Sequence, residues 1–147
     1  MINFFSNLPN FIAQLVQQPT LRNPIAVSLG AIAGALSRYY LSLWLGDLFG
    51  MNFPYGTLLV NASGCIGMGF FFTLITERIW TISPELQILI AVGFFGSYTT
   101  FSTYGLDTVN LARGEHFFKA GLYWAVSAIS AVTCLYSGIL LARLIRP

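Results

Sequence analysis

The sequence is poor in charge: only 8% of its 147 residues are Asp, Glu, Lys or Arg, whereas 56% are hydrophobic. A water-soluble domain carries roughly a quarter charged residues, so this chain lacks the polar groups to cover a soluble globule of its size. The net charge of +2 is also too small to indicate a nucleic-acid partner. We therefore expect membrane lipid to be the solvent for most of the surface.

Residues that commonly perform catalysis or bind metals are scarce as well. The two cysteines both lie in apolar runs, where thiols act as small packing residues and not as a disulfide framework. The single histidine, His116, lies in a loop, and no group of histidine, cysteine and carboxylate has the spacing of a metal site. We therefore expect that the protein is not an enzyme.

Four long apolar segments make up most of the chain after residue 24. A transmembrane helix needs about 20 apolar residues. The four segments are 25–45, 55–76, 86–109 and 119–141. The sequence predicts an all-α, multi-pass protein of the cell inner (plasma) membrane, in which 25–147 form one four-helix transmembrane domain. Small residues such as Gly30 and Gly34 favour close helix packing and an oligomer.

Residues 1–24 have a different pattern from the rest of the chain. Phenylalanine, leucine and isoleucine recur there at helical spacing, and asparagine and glutamine fill the other face. This amphipathic pattern predicts a helix lying in the membrane interface. A partly disordered leader is the second interpretation, and the pattern alone does not decide between them.

The four crossings would place both chain ends on one side of the membrane, and basic residues are slightly more frequent there. That side carries Arg22, Arg78, Arg143 and Arg146, and the other carries Arg113 and Lys119. Positive charge favours the cytoplasmic side. Because the difference is small, insertion in both orientations remains open.

The middle of the third segment is poor in helix-forming residues. Glycine, hydroxyl and β-branched side chains dominate 96–105, and these weaken an α-helix. A helix broken at membrane depth exposes backbone groups that can line a binding site. An ordinary helix whose hydroxyls bond back to its own carbonyls is the alternative.

Three polar residues within the segments require an explanation because polar groups are costly in lipid. The Asn61 amide is either an interhelical hydrogen-bonding group or a donor for an anion. Arg38 lies about 10 Å from the end of the first segment, which favours a structural anchor or a vestibule charge. We expect Asp107, near the end of the third segment, to reach the lipid headgroups.

Aromatic and hydroxyl side chains provide further candidates. Phe101 and Tyr104 share one helix face, and their positively polarised ring edges could stabilise a small anion. Packing or lipid-facing aromatics are the alternative. Tyr123 and Ser127 are one turn apart in the fourth segment, where they form either a row of donors or bonds to backbone.

Three stretches of the sequence resemble the Fluc/CrcB family of fluoride channels. They are 34–39 (GALSRY), 56–64 (GTLLVNASG) and 93–104 (GFFGSYTTFSTY). The third is highly specific to the family. The resemblance covers 25–143 and leaves residues 1–24 outside it.

The resemblance implies an antiparallel, dual-topology homodimer in lipid, with two fluoride pores and a third helix broken near its middle. Such a channel releases fluoride passively and so reduces its toxicity in the cytoplasm. The resemblance also implies a structural sodium ion at the dimer centre, held by backbone carbonyls at positions that match Gly96 and Thr99.

The pore residues implied by the resemblance include Asn61 and Phe101. Tyr104 stands where the family usually has a second phenylalanine, so either its ring edge or its hydroxyl could act there. The polar track beside the pore matches Ser102, Thr103, Tyr123 and Ser127. Ala131 stands where another small polar residue is expected, which would shorten the track, and Asp107 stands where glutamate is common.

Two other classes of membrane protein are alternatives to the channel. Small multidrug exporters also have four short helices and insert both ways, but they need a glutamate in the first helix. The segment 25–45 has no acidic residue. A non-transporting membrane subunit or assembly factor is the other class, and the polar residues at depth argue against it.

Overall fold

The computed structural model describes residues 18–145, and within that range the secondary structure is entirely helical. The prediction of an all-α fold is therefore confirmed for these residues. Most of the amphipathic segment 1–24 lies outside the described range, as does Arg146. The interpretations of that segment therefore stay predictions.

Five helical elements follow one another along the chain. They are α1 (Pro19–Phe49), α2 (Tyr55–Thr76), α3 (residues 84–98), α4 (Phe101–Arg113) and α5 (Phe117–Leu144). Element α3 is itself composite: α-helix at Pro84–Ile88, π-helix at Leu89–Phe95, and one short α-helical turn at Gly96–Tyr98. Together α3 and α4 correspond to the third predicted crossing.

Helix α1 packs directly on the π-helical part of α3. A methyl group added to Gly30 would collide with the Leu89 carbonyl oxygen, and one added to Gly34 would collide with that of Phe94. From the opposite helix, a Cβ on Gly93 would lie 2.9 Å from the Gly30 Cα. The two backbones are therefore in contact, as the small residues predicted.

Helices α2 and α5 make a second close pair. A methyl group on Gly69 would collide with the Leu135 carbonyl oxygen, and one on Gly138 with that of Ile66. The buried Thr73 hydroxyl donates to the Gly69 carbonyl at 2.8 Å, within its own helix. The backbones of α2 and α5 are therefore in contact, and α4 packs against α5.

Two ion pairs join helix ends on the side of the chain termini. Arg22 at the start of α1 pairs with Glu85 at the start of α3. Arg143 near the end of α5 pairs with Glu77, just after α2, at 2.8 Å. These pairs link the outer helices to the α2–α3 connection.

Three helical stretches are long and apolar enough to cross a membrane: Tyr55–Thr76, Pro84–Arg113 and Phe117–Leu144. These correspond to three of the predicted crossings. Helix α1 contains the remaining one, 25–45, and at 31 residues it has ample length. Its charged residues Arg22, Arg38 and Asp47 lower its apolar content, and α1 is not among the stretches that qualify. A fourth crossing therefore stays a prediction.

The third crossing is interrupted at Thr99 and Thr100. Thr99 has φ −82° and ψ 156°, and Thr100 has φ −147° and ψ 119°, so both are extended. Helix α4 restarts with the Thr100 hydroxyl accepting a hydrogen bond from the Thr103 amide at 3.2 Å, as an N-cap. The predicted break is confirmed, and it lies within the predicted range 96–105.

Candidate functional site

Asn61 of α2 bridges the helix break. Its Oδ1 accepts a hydrogen bond from the Thr100 amide at 2.7 Å, and its Nδ2 donates to the Thr100 carbonyl at 2.9 Å. The side-chain amide thus pairs the Thr100 N–H, which has no helical partner, and adds a second hydrogen bond to the Thr100 carbonyl, which as the N-cap already accepts the first bond of α4. This is the interhelical bonding considered for Asn61, and its second Nδ2 hydrogen is left over for another acceptor.

Arg38 of α1 supports the other side of the break. Its Nε donates to the Ser97 carbonyl at 3.1 Å, in the last turn of α3. A helix C-terminus carries partial negative charge and unpaired carbonyls, so a guanidinium is well suited to that position. This contact is the kind expected of a structural anchor.

A cleft of about 470 Å³ lies beside the break, between α2, α4 and α5. Its lining is Asn61, Cys65, Thr99, Thr100, Phe101, Tyr104, Trp124, Ser127, Ala128 and Ala131. Four of the pore candidates from the sequence meet here, namely Asn61, Phe101, Tyr104 and Ser127. Ala131 contributes an apolar wall at the position where the sequence indicated a shortened polar track.

The two aromatic candidates differ in exposure. Phe101 is 83% exposed, whereas Tyr104 is 9% exposed. Their ring centroids are 5.4 Å apart and the planes are tilted by 45°. Because Phe101 stands at the surface of the chain, the cleft has an open side that this chain alone does not close.

The hydroxyl groups in the cleft have different partners. The Tyr104 hydroxyl donates to the Trp124 carbonyl at 3.1 Å, so its proton is used within the protein. The Ser127 Oγ is buried and, among residues 18–145, has no hydrogen-bond partner of regular geometry. The Tyr123 hydroxyl, one turn earlier on α5, lies close enough to interact with it. Because that contact is not a regular hydrogen bond, the Ser127 hydroxyl can turn to donate to something that enters the cleft.

A second cavity, of about 690 Å³, lies toward the loop between α1 and α2. Its wall includes Arg38, Thr57, Thr103, Asp107 and His116. Here the Asp107 Oδ2 accepts hydrogen bonds from the Thr57 hydroxyl at 2.7 Å and from the Tyr123 hydroxyl at 3.4 Å. The sequence predicted that Asp107 extends to the lipid headgroups. In the structure it instead forms hydrogen bonds within the protein.

Three of the candidates do not line the cleft. Tyr123 is fully buried, with Tyr104 packed against it at a centroid distance of 5.6 Å. Thr103 faces the second cavity, and its hydroxyl accepts a hydrogen bond from that of Thr100 at 2.9 Å. The Ser102 hydroxyl is 3.3 Å from that of Thr100. These hydroxyls surround the start of α4, and the predicted track is divided between two cavities.

Thr57 is a polar residue of this region that the sequence interpretation missed. It lies one helical turn before Asn61, and this i, i+4 spacing places both on one face of α2. A search for hydroxyls at that spacing from Asn61 would have identified it. The acceptor, Asp107, comes from a helix 50 residues further on, which no local pattern indicates.

The backbone around the break has the chemistry expected of a sodium ligand set. The carbonyls of Phe95, Ser97 and Thr100 accept the hydrogen bonds around the break. The carbonyls of Gly96 and Thr99 accept none of the hydrogen bonds found there in the described part of the chain. Carbonyl oxygens are suitable ligands for a hard cation, and Gly96 is exposed at the chain surface. Two such oxygens are too few to enclose an ion, so a complete site requires a further contributor.

Comparison with known proteins gives consistent matches. The model of the CrcB-like protein family, described as Camphor Resistance (CrcB), matches residues 25–139. A fluoride-specific ion channel FluC from Trichormus variabilis is 61% identical over 130 residues, covering 88% of this chain and 95% of the relative. The FluC of a Synechococcus species is 57% identical over 129 residues, covering 87% and 98%. That of a Synechocystis species is 48% identical over 124 residues, covering 84% and 95%.

Proposed function

This chain belongs to the CrcB family, and relatives similar to it are named fluoride-specific ion channels. We propose that it conducts fluoride through a pore, and that its cleft forms one side of that pore. It is a multi-pass membrane protein of a non-enzymatic family. Fluoride would leave the cytoplasm down its own gradient, which lowers the concentration that reaches intracellular enzymes.

The chemistry of the cleft is the observation that carries this proposal. Fluoride is small and strongly hydrated, so a pore must replace its water with other donors. The cleft offers the buried Ser127 hydroxyl, the remaining Nδ2 hydrogen of Asn61, and the ring edge of Phe101. None of these carries a full charge. Several weak donors allow an anion both to enter and to leave, as conduction requires.

The exposure of Phe101 supports a pore completed by a second chain. An 83% exposed phenylalanine on the open side of a polar cleft would be covered if another copy packed there. In a two-fold dimer the same contact is made twice, so one dimer would contain two pores. The nearly balanced basic residues allow the two copies to insert in opposite directions, as an antiparallel dimer requires.

The second cavity would serve as the entrance from water. Arg38 and Asp107 both stand on its wall. The Arg38 guanidinium, which donates to the Ser97 carbonyl, would offset the repulsion between the carboxylate and an entering anion. Between this cavity and the cleft lie Tyr123, Thr103 and the ring of Tyr104. We assign Tyr123 and Thr103 to the polar track on this basis, with Thr57 and Asp107 fixing the Tyr123 hydroxyl.

A sodium ion would be structural in this channel. The free carbonyls of Gly96 and Thr99 from each of two chains would hold it at the dimer axis. A bound cation would offset the partial negative charge of carbonyl oxygens at the two helix ends. Arg38 and Asn61 hold the break from either side and so keep those carbonyls in place.

Fluoride efflux from proteoliposomes tests the role of the cleft through Ser127→Ala. Losing one hydrogen bond to an ion costs about 1.5–3 kcal/mol, so we expect the initial rate to fall by about ten-fold or more. Ser137→Ala is the matched control, because that exposed hydroxyl on the same helix bonds only to the Thr133 carbonyl. Equal rates in the two variants would remove the cleft from the fluoride path.

A further inference from the structure

Tyr104 connects the first turn of α4 to α5. Its hydroxyl donates to the Trp124 carbonyl, 20 residues along the chain, at 3.1 Å. The side chain is 9% exposed, so water competes little for this bond. A phenylalanine at this position, as the resemblance led us to expect, could not make it.

The ring of Tyr104 is held on two further sides. Phe101 lies at a centroid distance of 5.4 Å with a tilt of 45°, and Tyr123 lies at 5.6 Å with a tilt of 48°. The hydroxyl oxygen lies on the axis about which the ring turns, so its hydrogen bond fixes the direction of that axis. The two neighbouring rings restrict rotation about it. Axis and plane are therefore fixed by separate contacts.

Helix α4 needs such a connection because it starts without continuous helix before it. Thr99 and Thr100 are extended, so α3 does not fix the angle at which α4 begins. Asn61 ties Thr100 to α2, and Tyr104 ties the next turn to α5. These two polar contacts set the position of the turn that carries Phe101.

We propose that the two parts of Tyr104 have separate roles: its hydroxyl positions α4 by tethering it to α5, and its ring edge, not its hydroxyl, faces the permeating anion. This inference rests on the proposed fluoride conduction. The hydroxyl proton points to the Trp124 carbonyl, so an anion in the cleft meets the ring edge instead. The tyrosine ring then has the role that a phenylalanine ring would have, and the hydrogen bond of its hydroxyl fixes the ring axis.

Tyr104→Phe separates the tether from the ring, and Tyr104→Leu removes both. In full-length protein in lipid, amide hydrogen exchange of residues 100–106 should become about five-fold faster in Tyr104→Phe, the effect of losing one hydrogen bond. Tyr136→Phe is the matched control, because Tyr136 is an exposed tyrosine of α5, and its exchange should match that of the unchanged protein. Equal exchange in Tyr104→Phe and Tyr136→Phe would overturn the tether.

Fluoride efflux from the same preparations tests the ring. Tyr104→Phe should release fluoride about two-fold more slowly than Tyr136→Phe, because the turn that carries Phe101 loses one of its polar contacts. Tyr104→Leu should be slower than Tyr104→Phe by up to about ten-fold, the effect of one aromatic edge contact. A large loss of efflux in Tyr104→Phe with unchanged exchange would assign the hydroxyl to the anion and overturn the proposal. So would equal efflux in Tyr104→Phe and Tyr104→Leu. If the unchanged protein releases no fluoride, the proposed function fails, while the exchange comparison still decides the tether.

Discussion

Replacing Asn61 with aspartate changes one atom in the group that bridges the helix break. In the unchanged protein the Thr100 amide lies 2.7 Å from Asn61 Oδ1, and Nδ2 lies 2.9 Å from the Thr100 carbonyl oxygen. Asn61→Asp keeps the oxygen that accepts from the amide. It replaces the Nδ2 donor with a second oxygen. A hydrogen bond becomes a repulsive contact between two oxygens, which costs about 1–3 kcal/mol of folding stability.

The new charge has a larger effect on conduction. Two negative charges about 4 Å apart repel by about 4 kcal/mol at an effective dielectric constant of 20. Since 1.4 kcal/mol is about a factor of ten, fluoride occupancy beside residue 61 should fall by two to three orders of magnitude. We therefore expect fluoride efflux from proteoliposomes to fall at least about a hundred-fold.

The assay combines efflux with thermal unfolding in detergent. Asn23→Asp is the matched control, because Asn23 is exposed near the start of α1 and should leave both measurements unchanged. Acid that protonates the new carboxyl should recover stability, since the acid O–H can donate to the Thr100 carbonyl. Unchanged efflux in Asn61→Asp would remove Asn61 from the fluoride path. Loss of efflux without loss of stability would refute the bridge to Thr100.

Three further predictions concern the supports of the site. Gly138→Ala should lower the folding stability by about 1–3 kcal/mol, because the added methyl group collides with the Ile66 carbonyl oxygen. Thermal unfolding measures this loss, and an unchanged melting temperature would contradict the packing. Arg38→Gln should lower the folding stability by about 1–3 kcal/mol, because it removes the Arg38 hydrogen bond to the Ser97 carbonyl. Arg38→Lys should recover part of that loss. Equal stability of both variants and the unchanged protein would refute the anchor. The proposed sodium site predicts that replacing sodium with N-methylglucamine lowers the melting temperature, because a ligand of the folded state stabilises it by mass action. No dependence of the melting temperature on sodium concentration would contradict a bound ion.

The break in the third crossing could be predicted because its cause is local. Glycine and hydroxyl residues at 96–105 weaken a helix wherever they occur. The π-helix at Leu89–Phe95 could not be predicted, since the sequence LIAVGFF is equally compatible with an ordinary buried helix. Its backbone contacts with α1 at Gly30 and Gly34 depend on how two distant segments meet.

Individual residues of the candidate cleft could be predicted from the sequence, but their arrangement could not. Asn61 and Ser127 do line one cleft, because each was a polar residue that lipid could not accommodate. Helical spacing predicted that Tyr123 and Ser127 are neighbours, and their hydroxyls do interact. Only Ser127 lines the cleft, because the ring of Tyr104 packs against Tyr123. Spacing along one helix indicates which residues share a face and not which cavity each of them lines.

Anion release from liposomes, followed with fluoride and chloride electrodes in parallel, tests the central claim most directly. The purified protein is reconstituted with sodium present, and potassium ionophore is added to start the release. The proposed function predicts rapid fluoride release with little chloride release. No fluoride release from well-folded protein, or equal release of both anions, would contradict it.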